Sequence, residues 1–177
     1  LEAKFKFSKI ENFNKVNSEI AFTEKDELIF FDGKGTIYKL DENMDLVWKT
    51  NFYSKKEKKL NPILNISYSD KKIIITDNLS NYYLLDSESG RILWKKTNSS
   101  LFNSQIKILD DKFFIVDDSN ILSCFSIKNG NKLWSYKTEK PLIKSQKKMS
   151  IIIKENKVIF INTLGDVTAL DTLSGSC

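Results

Sequence analysis

An internal repeat constrains the fold of this chain more than any other feature. Asp41 follows a short apolar segment, and its position recurs in phase at Asp86, Ser126 and Asp171, at intervals of 45, 40 and 45 residues. We call these four positions the anchors. A period of this length is typical of the four-stranded blades of β-propellers, whereas helical repeats would show apolar residues three and four positions apart. The repeat therefore predicts a tandem array of small all-β units.

Each repeat contains the same succession of β segments. A mostly apolar segment, rich in β-branched and aromatic residues, lies ten to thirteen residues before each anchor and suits a strand that is buried on both faces. A polar turn and an earlier β segment precede it, a third segment leads into the anchor, and a fourth follows the anchor turn in the first three repeats. The central segments are 28–31, 73–76, 113–116 and 158–161.

These segments predict an all-β fold, namely a β-propeller of four-stranded antiparallel blades, with about four blades in this chain. We expect the blades at approximately 18–50, 62–97, 104–138 and 149–177, in a single domain over residues 1–177. Propellers usually have four to eight blades, so we expect this domain to be incomplete and part of a ring of seven or eight. Alternatively, the alternating segment 4–7 could supply a missing edge strand and close a ring of four.

The turn between the third and fourth strands carries its own signature. The anchor side chain can accept backbone N–H bonds, and a glycine four residues later supplies the positive φ that a tight hairpin needs. The first repeat departs from this pattern, because its turn is one residue shorter and has Met44 where glycine is expected. We expect that turn to be altered rather than absent.

These residues resemble the Ala-x-Asp-x-x-x-Gly-x-x-x-Trp tryptophan-docking motif of pyrroloquinoline-quinone-like propellers. The resemblance implies that each tryptophan is a staple between blades, buried against the turn of the next blade with its N–H on a backbone acceptor. A stacking platform for a flat ligand is the alternative role of the indoles. The motif residues are Asp41, Trp48, Asp86, Gly90, Trp94, Ser126, Gly130, Trp134, Asp171 and Gly175.

Composition removes most kinds of catalytic and metal site. The chain has no histidine and only two cysteines, Cys124 and Cys177, so histidine-dependent triads, Cys-His pairs and four-thiolate zinc sites are excluded. Cys124 lies in an apolar run and is expected to be a small buried side chain. A disulfide between the two cysteines has no support in the sequence.

The net charge of +5 does not indicate a nucleic-acid partner. Arg91 is the single arginine among 28 basic residues, whereas phosphate and base recognition usually draws on the arginine fork. Lysines are expected on the solvated surface and on strand edges. The apolar runs are far shorter than the roughly 20 residues that span a bilayer. Two lysine clusters lie in polar connections, at 55–59 and 144–148.

Quinone-dependent dehydrogenases share the fold that this resemblance implies, but function has to be argued from the site. Those enzymes resemble one another in a vicinal cysteine pair, a set of calcium carboxylates and a catalytic aspartate, and this sequence has no adjacent cysteines. We therefore assign no catalytic, cofactor-binding or metal residue and expect no cofactor. Four acids follow the second strands and could face one end of a channel, although turns favour aspartate for backbone reasons. They are Asp32, Asp77, Asp117 and Asp118.

Among nonenzymatic propellers, the chain looks most like the BamB-type outer-membrane assembly lipoproteins. This resemblance implies a periplasmic, outer-membrane-associated monomer that binds protein partners, namely the assembly machinery or unfolded barrel chains. It implies contact with the membrane only through a lipid anchor or a partner. A fragment of a quinone-dependent dehydrogenase and a ligand-binding sensor ectodomain remain alternatives.

Overall fold

The computed structural model describes residues 19–140 and 148–177, which form four antiparallel sheets that we call blades one to four. The all-β propeller class is confirmed. Blade one consists of β1 (Ile20–Phe22), β2 (Leu28–Phe31), β3 (Thr36–Leu40) and β4 (Leu46–Asn51), and blade two of β5 (Leu64–Ser69), β6 (Lys72–Asp77), β7 (Asn81–Asp86) and β8 (Ile92–Thr97). Blade three consists of β9 (Lys107–Leu109), β10 (Lys112–Val116), β11 (Ile121–Ser126) and β12 (Lys132–Lys137). Blade four consists of β13 (Ile151–Lys154), β14 (Lys157–Ile161) and β15 (Val167–Asp171).

Tight polar turns join the first two strands of each blade. Asp70 and Lys71 both have positive φ, of 46° and 59°, which is the conformation of a two-residue type I′ hairpin turn. Asp26, Asp110 and Glu155 also have positive φ at the corresponding turns. The right-handed twist of the strands favours this turn type, so local geometry and sheet twist agree.

The connection between blades one and two contains one helical turn. The lysine cluster at 55–59 was expected in a polar connection, and the structure forms α1 (Lys55–Lys58) within it. Ser54 and Glu57 explain the turn, because each side chain bonds to the backbone N–H of the other in a capping box. The alternating segment 4–7, Lys144 and Lys147 lie outside the described residues.

Each blade has two faces that pack differently. The forward face of a blade packs against the next blade along the chain, and the rear face packs against the preceding blade. In blade one the forward face includes Ile29, Phe31 and Ile37, which are buried against Ile73 and Leu85 on the rear face of blade two. Two further apolar clusters join blades two and three, and blades three and four.

Candidate functional site

Each of the three tryptophans contacts the blade that follows its own. The indoles lie on the outermost strands β4, β8 and β12 and are half-buried. Each indole N–H donates to a backbone carbonyl just after the anchor of the next blade, which satisfies its only polar atom. The Nε1–O distances are 2.9 Å for Trp48 to Ser87, 2.9 Å for Trp94 to Ile127 and 3.3 Å for Trp134 to Thr172.

The same indoles cover the turn glycines. A Cβ built on Gly90 would lie 2.7 Å from two carbons of the Trp48 ring. The corresponding closest distances are 3.0 Å between Gly130 and the Trp94 ring, and 2.6 Å between Gly175 and the Trp134 ring. All three glycines also have positive φ, between 66° and 71°. The backbone conformation therefore favours glycine, and the close approach of the ring leaves no room for any other residue.

The anchor turn of blade one keeps the backbone conformation but not the glycine. Met44 has a φ of 67°, and its N–H donates to the carbonyl of Asp41 at 3.0 Å. The three tryptophans of the chain all dock on other turns, so none of them lies over Met44. Among the described residues no indole takes the space above this turn, which leaves room for the Met44 side chain.

The anchor carboxylates organise their own turns. The Asp41 carboxylate accepts the backbone N–H groups of Asn43 and Asp45, at 2.9 and 2.8 Å. Hydrogen bonds from the hydroxyl and backbone N–H of Ser89 hold the pKa of Asp86 below its ordinary value. Asp171 has a lowered pKa for a similar reason, through the backbone and hydroxyl of Ser174. These carboxylates are turn-forming groups.

A second set of turns repeats between the second and third strands. In each blade one side-chain oxygen accepts two backbone N–H groups, from the residues two and four positions later. This closes an Asx-type turn. From the sequence, Asp32, Asp77 and Asp117 follow the second strand and could face a channel end or form turns, and the structure places all three in the turn-forming role. The acceptors are Asp32, Asp77, Asp117 and Asn162.

Asp77 has further partners inside the fold. Its Oδ2 accepts the phenol O–H groups of Tyr53 and Tyr83, at 2.7 and 2.9 Å, and the Asn81 side-chain amide at 3.2 Å. Burial and the nearby carboxylate raise the pKa of both tyrosines far above the ordinary value. Burial also raises the pKa of Asp117, against the hydrogen bonds from Ile121 and Ser119 that favour its charged form. Asp118 is buried beside it.

A buried ion pair that the repeat pattern did not predict lies beneath Trp48. Lys39 occupies the position where the family motif has alanine, and its side chain is 1% exposed. The Lys39 Nζ lies 2.9 Å from Glu27 Oε2 and 3.1 Å from the Ser87 carbonyl that also accepts Trp48. Thr23 donates to the same Glu27 oxygen. A lysine at a small-residue position of a core strand was the available signal.

A second polar contact links three blades near the innermost strands. Lys148 Nζ donates to Glu19 Oε1 and to Asn65 Oδ1, both at 2.6 Å. The other oxygen of Glu19 accepts the backbone N–H of Ile66 at 2.8 Å. Glu19 precedes β1, Asn65 is in β5 and Lys148 precedes β13. Nothing in the repeat pattern signals this contact, since it joins residues that are far apart in sequence.

Within residues 19–140 and 148–177, no group of three or more His, Cys, Asp or Glu could hold a metal ion. Every buried side-chain nitrogen or oxygen in those ranges has a hydrogen-bond partner. Cys124 and Cys177 are both free thiols, and burial raises the pKa of Cys124 to about 12. The same ranges contain no helix with the length and hydropathy of a membrane-spanning segment.

The chain matches the sequence model of one protein family over most of its length. The family model described as outer membrane protein assembly factor BamB matches residues 16–177. The chain belongs to the BamB family. Its repeats are therefore pyrroloquinoline-quinone-like propeller repeats, as the tryptophan-docking motif indicated.

Solved structures agree with the BamB fold. BamB from Moraxella catarrhalis is 21% identical and superposes with a TM-score of 0.61, over 85% of this chain and 44% of that one. The designed proteins Ika4 and Ika8 are each 13% identical, with TM-scores of 0.67 and 0.68. This BamB-family chain covers 88% of Ika4 and 46% of Ika8.

A curated relative also matches part of the BamB-family chain. It is an uncharacterized protein of Methanocaldococcus jannaschii, 32% identical over 101 residues. The match covers 52% of this chain and 12% of the archaeal protein. The chain thus spans less than half of the Moraxella BamB and about an eighth of the archaeal relative.

Proposed function

We propose that this protein is a nonenzymatic scaffold in the periplasm, associated with the outer membrane, that assists the assembly of β-barrel proteins. The match of residues 16–177 to the BamB family is the observation that carries this proposal. The side-chain chemistry agrees with it. The recurrent acidic side chains form turns, and the indoles that could have offered a stacking platform lie against backbone of the next blade.

The outer rim of the blades suits an extended polypeptide as partner. Strands β4, β8 and β12 end their sheets, so in the described residues each pairs on one side only. Their other edges can pair with a strand from another chain, and apolar side chains beside them can hold its side chains. An unfolded barrel chain has the required β-prone sequence. The exposed apolar residues of these strands are Leu46, Val47, Ile92, Leu93 and Leu133.

Photo-crosslinking tests this proposal directly. A photoreactive amino acid is placed at Leu93, on the outer rim, which is 55% exposed, and at Leu173 in the last turn as a control that is more exposed, at 70%. Each variant is mixed with a urea-denatured outer-membrane barrel protein at the moment of dilution, and with detergent-solubilised outer-membrane assembly machinery. We expect crosslinks from position 93 to one of these partners and few from position 173. Crosslinks no stronger than those to an unfolded soluble protein would contradict the scaffold role.

Enzyme activity is the second readout. The scaffold proposal predicts no dye-coupled oxidation of alcohols or sugars after pyrroloquinoline quinone and calcium are added. Turnover above the protein-free rate would favour the dehydrogenase alternative instead.

A further inference from the structure

The outermost strands β4, β8 and β12, which we call the rim strands, carry charge of one sign only. They contain lysines but neither aspartate nor glutamate. Blades two and three each pack between two described blades, so their rims are not ends of the array. The rim lysines are Lys49, Lys95, Lys96, Lys132 and Lys137.

A bulge in each rim strand limits where another strand can pair. The register shifts immediately before each tryptophan, which leaves Val47, Leu93 and Leu133 without a partner in the ladder. Bulges bend and twist a strand, and natural proteins use them to interrupt pairing along an exposed edge. The regular part of each edge therefore follows the tryptophan, and each regular part holds at least one rim lysine. These parts are 49–51, 95–97 and 135–137.

Contacts within the fold position some of the rim lysines. Lys95 Nζ lies 5.2 Å from the ring centroid of Tyr83, and Lys132 Nζ lies 5.5 Å from that of Phe125. Glu57, at 3.5 Å from Lys95, is the one ion-pair partner that the described residues give to any rim lysine. The described carboxylates therefore leave most of the positive charge of the rims uncompensated.

An incoming strand meets this charge as soon as it pairs with a rim. Opposite charges directly across two strands attract each other, whereas like charges repel. An apolar strand would cover a lysine head and remove its water without replacing the lost interactions. A site is specific when it penalises the wrong partner as well as attracting the right one. The rims thus disfavour basic and purely apolar segments and favour acidic ones.

We propose that the rim strands select extended segments that carry acidic side chains. This inference rests on the proposed function and names the class of chain that the rim accepts, namely an unfolded, β-prone segment with carboxylates. The carboxylates lie opposite the rim lysines, while apolar side chains of the segment contact Leu93 and its counterparts, which are about half exposed. The same charge keeps the rims of two copies from pairing with each other, since both are basic.

Three fluorescent β-prone peptides test the charge preference. They share the same apolar residues and carry glutamate, glutamine or lysine at all other positions. Fluorescence polarisation at low ionic strength should show that the glutamate peptide binds at least about fivefold more tightly than the glutamine peptide. The lysine peptide should bind more weakly than both. Added salt should reduce the differences, because it screens charges at exposed sites.

Two triple variants of equal net charge separate the effect of the rim from that of the whole protein. The rim variant should prefer the lysine peptide, whereas the control variant, altered in exposed hairpin lysines of the inner strands, should keep the preference of the parent. The rim variant combines Lys49→Glu, Lys96→Glu and Lys137→Glu. The control variant combines Lys71→Glu, Lys154→Glu and Lys157→Glu.

Circular dichroism melting checks that both variants are folded. Glutamine at the same three rim positions is the milder substitution, and it should remove most of the preference for the glutamate peptide. Equal binding of the three peptides would overturn the charge preference and leave the scaffold role standing. A preference lost equally in the rim and control variants would overturn it too, because net charge would then explain the binding. If none of the peptides binds, this inference is wrong, and crosslinking from position 93 decides the scaffold role separately.

Discussion

The indole of Trp48 lies over Gly90 of the next blade, and its N–H reaches the Ser87 carbonyl three residues before that glycine. One side chain thus satisfies its polar atom and fills the space above a turn in which the ring leaves no room for a Cβ. The same pair of contacts recurs from blade two to blade three and from blade three to blade four. The staple between blades can be tested through either partner.

Gly90→Ala should destabilise the protein by about 3 kcal/mol. About 1–2 kcal/mol comes from placing a Cβ at positive φ, and the rest from the overlap with the Trp48 ring. Gly165→Ala is the matched control, because Gly165 has a φ of 95° but no atom within 4 Å of a built Cβ. Urea unfolding measures both. A Gly90→Ala loss of no more than the about 1–2 kcal/mol of the backbone term would show that the indole contact contributes nothing.

Trp94→Ala should cost about 3 kcal/mol, the lower end of the range for large core aromatics, since the indole is half-buried. Trp94→Phe keeps most of the ring and removes the hydrogen bond to the Ile127 carbonyl, so its cost should be about 1 kcal/mol. Chemical denaturation with a fixed m-value checks both. The packing account is wrong if the phenylalanine variant loses as much stability as the alanine variant.

Glu27→Gln should destabilise the fold by about 3 kcal/mol, because it leaves the buried Lys39 ammonium without its anion. Lys39→Leu, which introduces the residue found at the same position of blade two, should cost less. The double variant should be close to Lys39→Leu alone. Thermal and urea unfolding measure the stability of the three variants. A larger loss of unfolding free energy for Lys39→Leu than for Glu27→Gln would contradict this prediction.

The same ion pair predicts a pH dependence of stability. Desolvation favours the neutral form of Glu27, but hydrogen bonds from Lys39 and Thr23 outweigh it and hold the pKa below its ordinary 4.5. A carboxyl whose pKa is lowered by folding stabilises the protein above its unfolded pKa. That contribution should disappear as the pH falls from 4.5 through the folded pKa. Glu27→Gln should show a shallower loss of unfolding free energy over this window than the parent chain.

The two cysteines should react with thiol reagents at very different rates. Cys177 is exposed, whereas Cys124 is fully buried and has its pKa raised to about 12 by burial. Because the thiolate is the nucleophile, Cys124 should react only on unfolding. Ellman's reagent should therefore detect one fast thiol in the native protein and two in urea. Cys177→Ser should remove the fast phase, and two fast thiols in the native parent would contradict the burial of blade three.

The strand pattern was predictable because the central strands are short apolar runs at a fixed distance from each anchor. The ends of the outermost strands were harder to predict from the sequence. The apolar signal of β8 stops at Trp94, but the strand continues to Thr97 because Lys95, Lys96 and Thr97 pair with β7. Alternating exposed and half-buried polar residues give no hydrophobic signal of their own.

Some contacts between blades could be predicted from the repeat, and others could not. The positions of the tryptophans and glycines follow the repeat, so each could be assigned to its own turn from the sequence. The pairing of Lys39 with Ser87, and of Lys148 with Glu19, depends on which blades lie side by side, and no local pattern encodes it. Such contacts require the assembled fold before they can be identified.

The indole N–H signals of the three tryptophans test the central claim most directly. A ¹⁵N–¹H spectrum of the folded protein should show three Nε1–H resonances, assigned with single tryptophan-to-phenylalanine variants, that exchange slowly with D₂O. Each of these hydrogens is donated to a backbone carbonyl of the next blade. Slow exchange for all three is the predicted result. Exchange at the rate of an unfolded chain, in a protein that remains folded by circular dichroism, would contradict the stapled array of blades.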